Sequence, residues 1–144
     1  TAPAVPSFVM DEATQKKANI GFLGNDFRNN FFGKTEESVA EAALALHSLE
    51  RGSIDKPILV QLGENAEISL AQFIGLIEKQ ADGQEGTLLV NGYANIAYIH
   101  DNNGALWAVC AFWLFGYGCW SVYAYSVGGP YWWGAGLRIV SRDS

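Results

Sequence analysis

Between Asn102 and Leu137 the chain carries no charged side chain, and all five of its tryptophans (Trp107, Trp113, Trp120, Trp132 and Trp133) fall inside that window. Soluble domains ordinarily place a charge about every four residues. Aromatic surface this dense must be kept from water by the chain's own helices, a second subunit, a ligand or lipid. Which of these provides the cover is the functional question.

The remaining composition narrows the classes. A length of 144 residues, 49% hydrophobic and 17% charged, reads as a single domain over 1–144 with a real core. Fourteen of fifteen acids lie at or before Asp101, and the net charge is −6. Without a basic stripe to neutralise phosphates, nucleic-acid binding is excluded. Two cysteines, Cys110 and Cys119, make no disulfide framework, and no Cys/His spacing marks a metal site, so neither metal nor cofactor is expected. The opening Thr-Ala-Pro-Ala-Val-Pro suits the mature end of a secreted or periplasmic protein.

Three stretches follow from the local signals. Residues 1–33 read as an irregular arm, broken by Pro3, Pro6, Gly21 and Gly24, with a short helix at 11–17. Residues 34–83 read as the helical part. Thr35 to Glu50 has a capping threonine, early acids and apolar positions Val39, Ala42, Ala43, Leu46 and Leu49 at helical spacing. A short helix is expected over 57–62. Ser69 and Gln72 form a capping box for a helix to about Ala81. Residues 87–142 read as sheet, with turns at Asn103-Gly104, 115–118 and 128–130. Arg138 and Arg142 in the last strand read as guards of a sheet edge. The predicted class is therefore α+β: two or three N-terminal helices packed on a C-terminal antiparallel meander of three to five strands.

The meander has a predicted register. With Asn103-Gly104 as a two-residue turn, His100 faces Trp107 and Tyr98 faces Val109; across the next loop, Trp113 lies by Trp120 and Val109 by Ala124. Both faces come out apolar, whereas an antiparallel meander normally shows water one of them. The second face thus needs its own cover.

Ligand-binding candidates are Trp132, Trp133 and Tyr131 in a glycine-rich stretch, then Trp113, Trp120 and Trp107. Flat rings stack on sugar faces while indole and phenol groups supply directed polar contacts. The expected function is a non-enzymatic binding or assembly protein. Its aromatic sheet face serves self-association, as a homo-oligomer or with a protein partner, or an extended ligand such as carbohydrate. Two alternatives stay open. One is a small hydrolase using His100 and Asp101, beside Cys110 or Cys119 as nucleophile. The other is a membrane-inserting protein, since the uncharged run 105–127 is long enough to cross a bilayer as a helix.

Overall fold

The computed structural model describes residues 2–129 and 131–143, so Pro130 of the predicted break at 128–130 lies outside the described residues. In chain order the elements are β1 (Val5–Val9), α1 (Glu12–Lys17), β2 (Ile20–Leu23), α2 (Asn25–Phe31), β3 (Thr35–Val39), β4 (Leu44–Ser48), α3 (Asp55–Leu62), α4 (Leu70–Lys79), β5 (Asn95–His100), β6 (Leu106–Leu114), β7 (Cys119–Ser126) and β8 (Arg138–Arg142). Six strands form one mixed sheet in the order β2-β7-β6-β5-β8-β4, and β1 pairs with β3 separately.

This arrangement corrects the predicted architecture. Strands dominate, the helices are interspersed, and the meander of β5, β6 and β7 is flanked by strands that join it in parallel, β2 on β7 and β8 on β5. The largest departure is Thr35–Glu50, which is two strands rather than a helix. Its apolar spacing fits either structure locally, but β1 takes up β3 from Val9↔Thr35 to Val5↔Val39 and β8 takes up β4 from Leu44↔Arg142 to Ser48↔Arg138. Strand pairing with distant partners outweighs a weak helical preference. Ser38, at a φ of 54°, also takes a left-handed conformation that no α-helix admits. The same pairing places β8 inside the sheet, so Arg138 and Arg142 guard no edge; their guanidinium groups donate instead to the carbonyls of Thr87 and Glu64.

The first 33 residues, expected to be irregular, contain β1, α1, β2 and α2. Asp11 caps α1 by accepting from the Thr14 N–H at 2.9 Å, and Phe27 and Phe31 stack at 5.0 Å inside the core. The helices over 57–62 and behind Ser69 form as expected. In α4 the capping box is complete, and the two N–H groups it leaves open, those of Leu70 and Ala71, donate to the Glu36 carboxylate at 3.0 and 2.8 Å.

The second hairpin keeps its predicted register, with Trp113 opposite Trp120 and Val109 opposite Ala124. The first slips by one: His100 pairs with Leu106 and Tyr98 with Ala108. Asp101 causes the slip. Its Oδ1 accepts the N–H groups of Asn103 and Ala105 at 2.8 and 2.9 Å and its Oδ2 accepts the Trp107 indole N–H at 2.7 Å, so the loop widens to residues 101–105. The slip turns β5 over. Ala97 and Ile99, rather than Ile96 and Tyr98, then join Val109, Ala111, Trp113, Trp120 and Val122 beneath α4 and α2.

The opposite face carries Ile96, Tyr98, Ala108, Cys110 and Ile139, covered by Ile58, Leu59 and Leu62 of α3 and by Trp133. The cover over this part of the second face therefore comes from the chain itself. The alternative of a membrane-spanning helix over 105–127 is overturned: residues 106–114 and 119–126 are strands, and among the described residues no helix is long and apolar enough to cross a bilayer.

Candidate functional site

A cleft of about 570 Å³ opens where the end of β4 and the loop after it face α3. Its lining is mixed. Ile58, Leu62 and Ile139 are apolar, while His47, Ser48, Glu50, Arg51, Ser53 and Gln61 bring imidazole, hydroxyl, carboxylate, guanidinium and amide groups. His47 is held in place by a 2.9 Å hydrogen bond between its Nε2 and Ser141 Oγ on β8.

The loop wall is laced to the segment before β8. The Leu49 N–H donates to the Leu137 carbonyl at 2.9 Å and the Gly136 N–H to the Leu49 carbonyl at 2.8 Å. Further along, Ser53 and Trp133 exchange both N–H···O bonds at 2.9 and 2.7 Å. This strapping sets Trp132 against Gly52, a lining residue. A Cβ built on Gly52 would stand 2.5, 2.6 and 2.6 Å from Nε1, Cε2 and Cζ2 of the indole. These atoms form one edge of the indole, so the Gly52 backbone lies against the ring's Nε1–Cζ2 edge. The indole is nonetheless 65% exposed, so most of the ring is open to solvent.

The neighbouring tryptophan anchors the strap from within. Trp133 is buried, packs against Tyr125 and Tyr131 at 5.4 and 4.7 Å, and donates its indole N–H to Asp55 Oδ1 at 2.7 Å. The Tyr98 hydroxyl donates to the same oxygen at 2.7 Å. Asp55 is buried in the first turn of α3, and among the described residues its Oδ2 has no hydrogen-bond partner. Burial pushes this carboxyl above the usual carboxylate range, and the two donated hydrogen bonds only partly offset it. Burial, together with Asp55, pushes the Tyr98 phenol upward in turn.

The six aromatic candidates thus separate. Tyr131, exposed, and Trp133, buried, come together on Tyr125 of the second sheet face, while Trp132 stands exposed beside Gly52. Trp107, Trp113 and Trp120 belong to the core on the other face. Trp120 donates its indole N–H to the Gln80 carbonyl at 2.9 Å, and the Trp113 ring lies against Gly83.

His100 and Asp101 do not form a pair. His100 Nδ1 meets Glu67 Oε2 at 2.7 Å, while both Asp101 oxygens are engaged in shaping the hairpin loop. Burial raises the Asp101 carboxyl, but the Trp107, Ala105 and Asn103 donors and the Lys34 charge outweigh it and hold it below its ordinary value. Both cysteines are buried and free, and burial pushes the Cys110 thiol up to about 12, far from a reactive thiolate. Among the described residues no group of three metal-ligating side chains occurs.

His47, Glu50, Arg51, Gly52, Asp55 and Gln61 escaped the reading of the sequence as site residues. Arg51-Gly52 looks like a helix end and Asp55 like the start of α3. Only the pairing of 49–53 with 133–137 gives them a common cleft. No known protein family, curated protein or solved structure matches the chain.

Proposed function

We propose that this chain is a non-enzymatic binding protein that takes an extended, hydroxyl-rich ligand such as a carbohydrate into the cleft beside Trp132. The observation that carries the reading is the Trp132 indole, 65% exposed and set edge-on against Gly52, a lining residue of a cleft with planar polar side chains. A sugar ring presents C–H groups on its faces, which stack on an indole, and hydroxyls around its edge. Carboxylate, guanidinium, amide and imidazole groups each take such hydroxyls in directed hydrogen bonds. The net charge of −6 disfavours polyanions. The lining carries a single carboxylate, Glu50, whereas glycoside hydrolysis ordinarily draws on a flanking pair.

A glycan array followed by titration calorimetry on the retained sugars tests this. Binding is expected to fall at least tenfold in Trp132→Ala while the thermal midpoint stays within a few degrees, because the ring is exposed. Failure to retain any soluble or insoluble glycan, or undiminished binding by the variant, would overturn it.

A further inference from the structure

The cover over the second sheet face reaches β7 only at Tyr125, where Tyr131 and Trp133 pack, and stops short of the rest of β7 and of β2. α3 and Trp133 lie over β5, β8 and the near part of β6, while Phe112, Leu114 and Tyr123 remain half-buried. Beside them Phe22, Phe115 and Tyr117 are 43%, 72% and 73% exposed, which leaves roughly 400 Å² of ring surface in water at 150–250 Å² per ring. Phe22 and Tyr117 already meet edge to face at 5.2 Å, and Phe112 and Tyr123 lie 5.7 Å apart. The rings are set in place, since Tyr123 packs on Gly24, where even a methyl would clash.

We propose that this bare end of the sheet, centred on Phe22, Phe112, Leu114, Tyr117 and Tyr123, docks on the same surface of a second copy of the chain as a two-fold pair. Two observations select that occupant. No charged residue lies in β2, β6, β7 or the turn at 115–118, so the patch offers nothing for a charged partner to recognise. A patch without charge is compatible with its own image even on molecules that each carry −6. The area points the same way. Two such patches, with their half-buried neighbours, bury on the order of 1,000 Å², the lower bound for a specific and reversible interface. A single patch of this size is near the upper end that soluble monomers leave open.

The pair would leave the cleft free. β2 and β4 are opposite edges of the six-stranded sheet, roughly 24 Å apart at about 4.8 Å per strand spacing. A dimer joined through β2 and β7 would therefore display two clefts, and the association does not depend on what those clefts bind.

Sedimentation velocity from micromolar to millimolar chain tests the proposal. The weight-average mass is expected to climb toward twice the 15.7 kDa of one chain, and association to hold or strengthen from 50 to 500 mM NaCl as repulsion is screened. Tyr117→Glu, and separately Phe22→Ser, should weaken it at least tenfold. Trp132→Ala and Val60→Glu, the latter on the exposed side of α3, should not alter it. Circular dichroism checks that each variant folds, and Phe115→Glu replaces either that does not. A wild-type monomer throughout, association that collapses with salt, or undiminished pairing in folded patch variants would overturn it. Loss of glycan retention in Tyr117→Glu with a monomeric wild type would assign the patch to ligand instead.

Discussion

Trp133 and Asp55, 78 residues apart in the chain, meet through a 2.7 Å hydrogen bond from the indole N–H to Oδ1 in a buried setting. This contact ties the segment before β8 to the first turn of α3. Trp132, its neighbour, is thereby held outward with its ring edge against Gly52. Two consecutive tryptophans have opposite duties, one fastening the strap from inside and the other presenting a ring to solvent.

Removing the anchor should be expensive. Asp55→Ala leaves the Tyr98 hydroxyl and the Trp133 N–H without an acceptor in the interior, and each unmet donor costs about 1–3 kcal/mol. A loss of about 2–4 kcal/mol is expected in urea denaturation. A change below about 0.5 kcal/mol would mean that the contact does not hold the strap.

The two buried aspartates should respond to pH in opposite senses. The Asp55 carboxyl is raised on folding, so its contribution is most favourable in acid and is lost as pH climbs above the ordinary carboxylate value. Asp55→Asn, which removes the charge and keeps an acceptor, should therefore gain on the wild type as pH rises from about 3 toward 7. Asp101 is lowered on folding, so its contribution is present above the ordinary value and disappears as pH falls through its folded value. The deficit of Asp101→Asn should accordingly shrink toward acid. Denaturation midpoints across that range check both slopes.

Glu36 is the cap of a helix 34 residues further on. Its carboxylate accepts the first two N–H groups of α4 and pairs with Lys34 at 3.1 Å. Glu36→Ala is expected to cost about 1–2 kcal/mol, and Glu36→Gln less, because an amide oxygen still accepts. Hydrogen exchange should speed most at Leu70 and Ala71.

Gly52→Ala separates the ring's position from its presence. The added methyl overlaps the Trp132 indole, which must swing away. Global stability should change by less than about 1 kcal/mol at this partly exposed position, while glycan affinity should fall nearly as far as in Trp132→Ala. Equal affinity in Gly52→Ala and wild type would show that the ring need not lie there.

Much of the chain is decided within a few residues, and those parts are legible in the sequence. The capping box at Ser69 and Gln72 satisfies itself inside one turn, and Trp113 meets Trp120 because the tight connection at 115–118 fixes the hairpin. The apolarity of both sheet faces is equally visible, because it needs only alternation along a strand. The first hairpin was less legible, since the Asp101 carboxylate widens a loop that its Asn-Gly pair would otherwise close tightly.

What the sequence alone determined, then, is a capped helix behind Ser69, an aromatic hairpin and a sheet apolar on both faces. Tertiary structure alone decided that Thr35–Glu50 is two strands, that β8 enters between β5 and β4, and which tryptophans face outward. The division has a physical cause. Capping and tight turns are closed by near neighbours, whereas a short strand of mixed pattern takes its state from partners far along the chain. Trp132 and Trp133 look alike in sequence until Asp55, brought in by α3, supplies an acceptor that only one indole can reach.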